Sequence, residues 1–454
     1  MSFVLTEKAV RSTLGLEGGS EAVRYSSIAT DTRTLARGAL FVALKGERFD
    51  AHEFLPAARD AGAVAAVVQA GTPPVEELVL HQVPDPLRGY GLLARARRRG
   101  ITGPVIAITG TNGKTSTKEL VAAVLRTRWV THATRANLNN LVGVPQTILE
   151  APPETQALVI EAGANLPGEI ARYREIIEPD IAIVTNAAAG HLEGFGSLEA
   201  VVDEKLELVR EVPVALVGTQ PTTLESGSRE RGAGRVVTVG LEQAQVKPER
   251  VTLGVGARPT LMVDGYRVTI PLLGLHQAGN ALFAWAVARE LGLDLNASAA
   301  ALETVRLPAG RGEVIQHGGF TIVHDAYNAN PASFRTAIAV ADQLRSGRRL
   351  VFVAGTMREL GPDSERLHRE IAELLVRLNP ELLAVVGEFR PALAPWAQEL
   401  GDRLLTAEDA PSLAPRLAER LSGDELIVLK ASRGVALERI LPAIATRAAP
   451  TSEA

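Results

Sequence analysis

The stretch VIAITGTNGKTSTKEL, residues 105–120, decides the fold of the middle of this chain. Its apolar run predicts a buried strand, its glycines predict a turn, and the polar residues that follow open a helix. The Walker A pattern G-x-x-x-x-G-K-[ST] requires glycine where this chain has Ile108, although Gly113, Lys114 and Thr115 fit the pattern. Backbone N–H groups of such a loop turn toward phosphate, and the helix N-terminus adds positive partial charge. We therefore predict a shortened phosphate loop, the alternative being an ordinary strand–turn–helix.

The composition is that of a globular protein, with 46% hydrophobic and 22% charged residues. A length of 454 residues predicts two or three domains. The net charge of −4 does not indicate nucleic-acid binding, and we interpret the basic run RARRRG (residues 95–100) as a solvated helix end or linker. The absence of cysteine excludes disulfides and a cysteine nucleophile. No targeting segment or membrane span is recognisable, so we expect a cytoplasmic protein without membrane insertion.

Strands and helices alternate along the chain, which predicts an α/β fold with three domains. The strand GALFVALKG, closed by Gly46, and the helix–strand HEFLPAARDAGAVAAVV predict an α/β domain over residues 1–85. The apolar runs PVIAITG, QALVIEAG, DIAIVTN and VPVALVG predict a doubly wound, mainly parallel central domain over residues 86–308. HQAGNALFAWAVARELG predicts an amphipathic helix that ends at Gly292. RLVFVAG, LLAVVG and ELIVLKAS predict a Rossmann-like C-terminal domain over residues 309–454.

Polar side chains follow several of these strands directly. Lys114, Glu161, His191, Lys430 and Ser432 each come at or just after the end of an apolar run. In open α/β sheets, ligands bind outside the carboxyl ends of the strands. The sequence therefore predicts that the chemistry of this protein takes place at those ends.

Each polar candidate also has a purely structural interpretation. A carboxylate such as Glu161 at the end of a buried strand requires a partner, and a metal ion, a helix cap and a salt bridge all remain open. On spacing alone, a structural histidine at position 191 and a solvated lysine at position 205 are the favoured interpretations. Asn280 fits contacts to a base edge, and Arg311 fits charge neutralisation of a phosphate that is transferred. VHDAYNANP offers groups for ribose, base and amide contacts, namely Asp325, Tyr327, Asn328 and Asn330.

Taken together, these motifs resemble the Mur ligases over nearly the whole chain. That family uses a short phosphate loop of the form TGTNGKT, residues 109–115 here, which accounts for Ile108. ATDTRTLARGALFVALKGERFDAHEF resembles its uridine-nucleotide domain. ANLNNLVGVPQT, EAGANLPGEI, AGHLEGFGSLEAV and DAYNANP resemble the member that adds D-alanyl-D-alanine. AGTMRELG departs from the family, which usually has Asp where this chain has Thr356.

The resemblance implies a role for each matching residue. ATP phosphates would be bound by Gly110, Thr111, Asn112, Gly113, Lys114, Thr115 and Ser116, and the rest of ATP by Asn280, Arg311, Asp325 and Tyr327. Two Mg²⁺ ions would be held by Thr115, Glu161, His191 and Lys205, with Lys205 carbamylated because an ammonium cannot ligate Mg²⁺. Catalytic groups would be Lys114, His191, Lys205 and Arg311. The UDP-muramoyl end would contact Asp31, Thr32, Arg33, Lys45, Gly46 and His52. The peptide parts of the substrates would contact Asn137, Asn139, Asn140, Asn328, Asn330, Lys430 and Ser432.

The resemblance also implies the reaction. It is an ATP-dependent ligation, in peptidoglycan synthesis, of D-alanyl-D-alanine to UDP-N-acetylmuramoyl-tripeptide through an acyl phosphate, by an enzyme expected to be a monomer. Folylpolyglutamate synthase is one alternative, but it lacks the uridine-nucleotide domain and the NLNN stretch. A non-catalytic nucleotide-binding regulator is another, but it would not need Glu161, His191 and Lys205 together.

Overall fold

A computed structural model of the chain describes residues 5–46, 49–190 and 192–447. The chain divides into two compact units. The first comprises Met1–Ala107, Trp129–Ala164 and Gly168–Ala182, and the second comprises Ile108–Arg128, Asn165–Pro167 and Ile183–Ala454. None of the helices within the described ranges combines the length and the apolar character needed to cross a bilayer.

The N-terminal part is a parallel sheet covered on both faces. Its elements are α1 (Glu7–Thr13), β1 (Ile28–Ala29), β2 (Leu40–Val42), α2 (Leu55–Asp60), β3 (Ala65–Gln69), β4 (Val79–Val83) and α3 (Pro86–Arg98). The strand order is β1-β2-β3-β4, with every pair parallel. Because successive strand residues point to opposite faces, Leu40 and Val42 pack with α1 and α3, whereas Phe41 packs with α2. The predicted helix–strand is confirmed, but the strand before Gly46 is short.

The C-terminal end of α3 is fixed by its arginines rather than solvated. The Nε and Nη2 groups of Arg98, which is 9% exposed, donate hydrogen bonds of 2.7 and 2.6 Å to the carbonyl oxygens of Ile177 and Glu178. Nη2 of Arg97 donates to the carbonyl oxygen of Ala151, and Arg99 forms an ion pair with the carboxylate of Glu178. The interpretation of RARRRG as a solvated helix end is therefore wrong, because these guanidinium groups bind the ends of neighbouring helices.

The central sheet has six strands. Its elements are β5 (Val105–Thr109), α4 (Lys114–Leu125), β6 (Thr131–Ala133), α5 (Gly143–Leu149), β7 (Ala157–Glu161), α6 (Glu169–Ile177), β8 (Ile181–Val184), α7 (Leu192–Phe195), α8 (Leu198–Leu206), β9 (Val214–Gly218), α9 (Thr223–Glu230) and β10 (Arg235–Val239). The strand order is β10-β9-β8-β5-β7-β6. All residues of β5, β7 and β8 are buried, as their continuous apolar runs predict.

A small antiparallel sheet follows, which the sequence did not reveal. It consists of β11 (Arg250–Leu253), β12 (Pro259–Val263) and β13 (Tyr266–Thr269), and the helices α10 (His276–Glu290) and α11 (Leu295–Leu302) come next. The prediction that α10 is amphipathic is wrong. Residues 280–288 are all buried, so this helix has no solvent face over that stretch. It ends before Gly292, as predicted, where the backbone has a φ of +60°.

The C-terminal part is a mixed sheet between two helical layers. Its elements are β14 (Glu313–His317), β15 (Phe320–Asp325), α12 (Pro331–Arg345), β16 (Leu350–Ala354), α13 (Ser364–Leu378), β17 (Leu382–Val386), α14 (Phe389–Leu393), α15 (Ala397–Leu400), β18 (Leu404–Ala407), α16 (Ala410–Arg420), β19 (Leu426–Lys430) and α17 (Leu441–Ala445). The order is β14-β15-β19-β16-β17-β18, and only β14 is antiparallel to its neighbour. The three predicted apolar strands are β16, β17 and β19.

Candidate active site

The loop between β5 and α4 curls around the ammonium group of its own lysine. Gly110 has a φ of +145° and Gly113 a φ of +81°, values that favour glycine. Lys114 donates hydrogen bonds from Nζ to the carbonyl oxygens of Gly110 at 2.7 Å and Thr111 at 3.1 Å. A positive charge therefore lies at the centre of this turn, next to the N-terminus of α4, which begins at Lys114. Both features favour an anion.

The residues that follow β8 hold this loop in shape. The N–H of Asn112 donates to Oδ1 of Asn186 at 3.0 Å, and Nδ2 of Asn186 donates back to the carbonyl oxygen of Asn112 at 3.1 Å. The hydroxyl of Thr185 donates to the same carbonyl oxygen at 2.7 Å. The hydroxyl of Thr111 accepts a hydrogen bond from the N–H of Ala188 at 3.0 Å. With its amides and carbonyls bound in this way, the loop is pre-organised.

Asn280 lies directly against the loop. Its side chain is 8% exposed, and its Nδ2 donates to Oε1 of Gln277 at 2.9 Å. A Cβ atom built at Gly113 would lie 2.5 Å from Oδ1 of Asn280, so only glycine fits at that position. The hydroxyl of Thr117 on α4 also donates to this Oδ1, at 3.4 Å. In this structure Asn280 supports the loop, while its contact with adenosine stays a prediction.

A further contact to the loop comes from the segment after β15. Nδ2 of Asn330 donates to Oδ1 of Asn112 at 2.8 Å. Oδ1 of Asn330 accepts the N–H of Ser333 at 2.9 Å, which caps the N-terminus of α12. One amide side chain thus joins the phosphate loop to the start of a helix in the C-terminal part.

Within the first unit, Glu161 is oriented by one of the three asparagines of the NLNN region. Its Oε1 accepts a hydrogen bond of 2.8 Å from Nδ2 of Asn139, and its backbone N–H donates to the hydroxyl of Thr134. Asn140 instead accepts the N–H groups of two residues at the start of α5, and Asn137 is exposed. Asn139 therefore acts on Glu161, and Asn140 supports the turn into α5.

The second candidate metal region contains Lys205. This residue lies in the last turn of α8 and is 1% exposed, and its Nζ lies 5.7 Å from the centroid of the Phe195 ring. The predicted ligand His191 lies outside the described residues. Among residues 5–46, 49–190 and 192–447, no three histidine, aspartate or glutamate side chains are grouped as a metal site.

Arg311 stacks on Tyr327. The guanidinium carbon of Arg311 lies 3.9 Å from the centroid of that ring, a cation–π contact. The backbone supports the arrangement, because the N–H of Tyr327 donates to the carbonyl oxygen of Gly310 at 3.0 Å. The guanidinium carbon of Arg433, a residue that the sequence analysis did not select, lies 5.1 Å from the same centroid.

Asp325 and Lys430 form an ion pair across β15 and β19. Nζ of Lys430, whose side chain is 2% exposed, lies 2.8 Å from Oδ2 of Asp325 and donates to the carbonyl oxygen of Asn328 at 2.8 Å. The hydroxyl of Ser432 accepts the N–H of Arg358 at 2.9 Å. Both side chains are thus bound within the protein, and their predicted contact with the dipeptide stays a prediction.

Thr356, the residue that departs from the family pattern, supports a neighbouring turn. Its hydroxyl accepts the N–H of Glu388 at 3.0 Å, and its carbonyl oxygen accepts the N–H of Ser432 at 3.1 Å. A Cβ atom at Gly387, which has a φ of +63°, would lie 2.0 Å from the Thr356 hydroxyl oxygen. Threonine therefore provides a hydrogen-bond acceptor in close contact with the turn after β17.

In the N-terminal part, the candidates for the uridine-nucleotide end fall into two groups. Asp31 and Arg33 form an ion pair of 2.6 Å, and this hydrogen bond lowers the pKa of Asp31 to about 2. Thr32 lies between them and is half-buried. This exposed turn therefore presents a fixed pair of charges.

The other group surrounds Asp50. Nζ of Lys45 lies 3.2 Å from one oxygen of Asp50, and Nδ1 of His52 contacts the other oxygen. Nε2 of His52 accepts the N–H of Gln69 at 3.0 Å, which leaves Nδ1 as the ring nitrogen that donates to Asp50. Gly46 donates its N–H to the carbonyl oxygen of Phe49. In this structure His52 holds the turn, with both ring nitrogens in use.

Three family models match the chain. They describe the Mur ligase family catalytic domain over residues 24–98, the Mur ligase middle domain over residues 108–288, and the Mur ligase glutamate ligase domain over residues 310–433. The UDP-N-acetylmuramoyl-tripeptide–D-alanyl-D-alanine ligase of Synechocystis sp. is 34% identical over 427 residues, which cover 93% of this chain and 92% of that enzyme. The chain belongs to the Mur ligase family. The ligase of the same name from Escherichia coli K12 is 35% identical to this Mur ligase, over 93% of this chain and 94% of that enzyme.

Solved structures of Mur ligases agree with this assignment. MurF from Acinetobacter baumannii has a TM-score of 0.88 and 30% identity, covering 98% of this chain and 99% of that one. MurF from Thermotoga maritima in complex with ADP has a TM-score of 0.81 and 28% identity, covering 93% of this chain and 97% of that one. This Mur ligase therefore has a three-domain, mainly parallel α/β fold with a mixed C-terminal sheet, as predicted. The predicted domain boundaries stay predictions.

The alternative family shares only the fold. Folylpolyglutamate synthase from Mycobacterium tuberculosis has a TM-score of 0.62 at 20% identity and covers 80% of this chain. A non-catalytic regulator is not supported either, because the chain belongs to a family of enzymes and is a ligase.

Sequence reasoning missed three residues of this site in the second unit. Thr185 and Asn186, which hold the loop, end the stretch DIAIVTN at the carboxyl end of a predicted strand. The rule that selected Lys114 and Glu161 also applies to them. Arg433 follows the selected Ser432 directly, but nothing in the sequence places it beside Tyr327.

Proposed function

We propose that this Mur ligase joins D-alanyl-D-alanine to UDP-N-acetylmuramoyl-tripeptide at the expense of ATP, giving the UDP-muramoyl-pentapeptide precursor of peptidoglycan. The observation that carries the proposal is the end-to-end similarity to ligases of that name, 34% identical over 93% of the chain. The loop with Lys114 at its centre supports the use of a nucleoside triphosphate.

The reaction proceeds in two balanced steps. An oxygen of the terminal carboxylate of the tripeptide attacks the γ-phosphorus of ATP, the bond to the β-phosphate oxygen breaks, and ADP leaves. The neutral amine of D-alanyl-D-alanine then attacks the acyl carbon, loses one proton, and inorganic phosphate leaves with the electron pair of the C–O bond. Since no enzyme nucleophile takes part, a chain without cysteine can carry out both steps.

The residues of the chain position these groups and neutralise charge. Lys114 and the N-terminus of α4 bind the β- and γ-phosphates. Arg311, whose guanidinium carbon lies 3.9 Å from the centroid of the Tyr327 ring, would approach the phosphoryl group that is transferred. Asn112 is fixed from two sides, by Asn186 and by Asn330, so the loop keeps its shape when the phosphates bind.

The donor types at two positions fit Mg²⁺, which binds hard oxygen ligands. Thr115 provides a hydroxyl, and Glu161 provides a buried carboxylate whose Oε1 is bound by Asn139. Mg²⁺ would offset the negative charge that accumulates when a carboxylate approaches a polyphosphate. A second ion would be held by His191 and by Lys205 in carbamylated form.

Carbamylation of Lys205 is expected to appear as one added CO₂ in the intact mass of protein equilibrated with bicarbonate. Carbamylation would give the buried amine of Lys205 an anionic oxygen that can act as a ligand to Mg²⁺. Lys205→Arg should lose the added mass and the activity, and bicarbonate should restore neither. An unmodified native mass, with full activity in the presence of bicarbonate, would contradict this assignment.

The function is tested by the mass of the product formed from UDP-N-acetylmuramoyl-tripeptides, ATP and D-alanyl-D-alanine. We expect phosphate release only when both peptide substrates are present, together with a product that is heavier by the dipeptide less one water. Phosphate release with a folate substrate and glutamate instead would support the alternative ligase. Nucleotide binding without turnover would support the regulator. A monomeric, cytoplasmic enzyme is part of the same proposal.

A further inference from the structure

Two arginines converge on one aromatic ring at the C-terminal edge of the last sheet. The guanidinium carbons of Arg311 and Arg433 lie 3.9 and 5.1 Å from the centroid of the Tyr327 ring, so they are at most 9.0 Å apart. The segments that carry Tyr327 and Arg433 follow β15 and β19, which are paired in parallel with Asp325 opposite Lys430. Both segments therefore leave the sheet at the same edge.

Among the residues that the structure describes, neither guanidinium group has a carboxylate as its partner. Within residues 5–46, 49–190 and 192–447, the side chains of Arg311 and Arg433 contact Tyr327 but form no hydrogen bond or ion pair with other protein groups. Two positive charges so close together repel each other unless an anion lies between or beside them. The arrangement is therefore suited to anionic groups of a ligand, which a guanidinium binds through two parallel hydrogen bonds.

The lysine that ends β19 is already bound within the protein. Lys430 is buried against Asp325 and the carbonyl oxygen of Asn328. The hydroxyl of Ser432 is bound to Arg358 and lies 3.4 Å from the carbonyl oxygen of Ala329. Arg433, by contrast, is exposed. Lys430 and Ser432 are thus bound within the protein, whereas the charged group of Arg433 is available to a substrate.

We propose that Arg433 binds the free carboxylate of the incoming D-alanyl-D-alanine. This inference rests on the proposed function, and it assigns to Arg433 the dipeptide role predicted for Lys430 and Ser432. The dipeptide must place its amine at the acyl carbon, beside the phosphoryl group that Arg311 would approach. Its carboxylate then lies two residues away, about 7 Å in an extended chain. The two guanidinium groups are at most 9.0 Å apart, a limit within which a dipeptide of this length fits.

The test compares Arg433→Gln with the native enzyme under saturating ATP and UDP-substrate. We expect the KM for D-alanyl-D-alanine to rise about 10- to 100-fold, the loss typical of a hydrogen bond to a charged group, with a smaller change in kcat. Arg433→Lys keeps the positive charge but not the paired N–H donors of the guanidinium group, so it should recover part of this loss. The KM values for ATP and the UDP-substrate should not change. Arg439→Gln, another exposed arginine nearby in the sequence, serves as the matched control.

A second substrate separates carboxylate binding from a structural effect. D-alanyl-D-alanine amide lacks the anion, so the native enzyme should use it poorly, and Arg433→Gln should use it no worse than the native enzyme does. An equal further loss with the amide would overturn the inference, as would a raised KM for ATP, which would place Arg433 on a phosphate. If the native enzyme makes no pentapeptide at all, the proposed function fails instead. An unchanged KM in an active variant overturns the role of Arg433 alone.

Discussion

Gly113 and Asn280 depend on each other in this structure, because the amide of Asn280 occupies the space that any larger residue at position 113 would need. The left-handed backbone at Gly113 is a second constraint. Glycine is therefore favoured at position 113 for two reasons, the left-handed backbone and the lack of space for a Cβ atom. Two alanine variants can separate these two effects.

We expect Gly113→Ala to raise the KM for ATP by about 100-fold, because a small displacement of a binding loop is costly. The matched control is Gly168→Ala, since Gly168 also precedes a helix with a φ of +87° but has open space, with no atom within 4 Å, where a Cβ would lie. The control should lose only about 1 kcal/mol of stability and keep its KM. Steady-state kinetics of both variants measures the difference, and equal KM values would refute the packing argument.

For single residues, the sequence indicated which side chains lie at the ends of strands. The hydrogen-bond partner of each side chain could not be predicted in the same way. Lys430 and His52 were predicted to contact substrates. In this structure Lys430 binds Asp325 and His52 binds Asp50 and Gln69, and their substrate contacts stay predictions. Asn139 was predicted to contact the peptide; in this structure it binds Glu161, and its contact with the peptide stays a prediction. The partners of Asn139 and Lys430 are 22 and 105 residues away, and local spacing cannot identify them because only the fold brings them together.

Among the elements, α12 is attached to the phosphate loop through its own N-cap. Oδ1 of Asn330 caps the helix, and Nδ2 holds Asn112. Serine also caps helices well but is too short to reach Asn112. We expect Asn330→Ser to retain the native free energy of unfolding within about 0.5 kcal/mol and to lose about 10-fold in kcat/KM for ATP.

The reference for that experiment is Asn330→Ala, which removes both functions of the side chain and should also lose about 1 kcal/mol of stability. Urea denaturation and phosphate release measured on the same samples distinguish the two roles. Native kcat/KM in the serine variant would show that the bond to Asn112 has no effect on catalysis.

Helix α3 is anchored at its C-terminal end by Arg98, which binds the last carbonyl groups of α6. Arg98→Ala should reduce the free energy of unfolding by about 2 kcal/mol, because these carbonyls lose charge-assisted partners. Arg88→Ala, which replaces an exposed residue of the same helix, should change the free energy of unfolding by no more than about 0.5 kcal/mol. Similar losses in the two variants, measured by urea denaturation, would contradict the anchoring role.

Elements were predictable from the sequence where burial was complete. The runs that became β5, β7 and β8 lie in the middle of a covered sheet, so nearly every residue is apolar. The strands β11 and β13 carry mostly exposed or half-buried residues, which gave no periodic signal. The amphipathic prediction for α10 failed for the opposite reason, since alanine and a few polar residues are buried on all sides of that helix.

Across the whole molecule, each compact unit contains a buried histidine that stays neutral. Burial lowers the pKa of His81, which lies 2.8 Å from the hydroxyl of Tyr25. Burial also lowers the pKa of His368, which donates from Nδ1 to the carbonyl oxygen of Ser364 and accepts the N–H of Met357. Protonation of either imidazole in the folded state would place a charge in a buried site.

Both pKa values are lowered in the folded state from the unfolded value of 6.5, so the unfolded chain takes up protons first. Their contribution to stability is complete above pH 6.5 and is lost as the pH falls toward the folded values. We therefore expect the free energy of unfolding to decrease between about pH 7.5 and 5.5. His81→Gln and His368→Gln should weaken this dependence, whereas replacement of the exposed His317 should not. Equal free energies of unfolding at pH 7.5 and 5.5, within about 0.5 kcal/mol, would contradict the predicted pH dependence.

The all-round burial of α10 has a consequence for how this chain can change over generations. Most helices tolerate drift on a water-facing side, but residues 280–288 have no such side. Substitutions at nearly every position of α10 should therefore reduce stability and be lost by selection. Helix α13 has arginines and glutamates on an exposed face and should accept many substitutions there. A saturation-mutagenesis survey would then show α10 as an unbroken intolerant block, in contrast to the helical periodicity of α13.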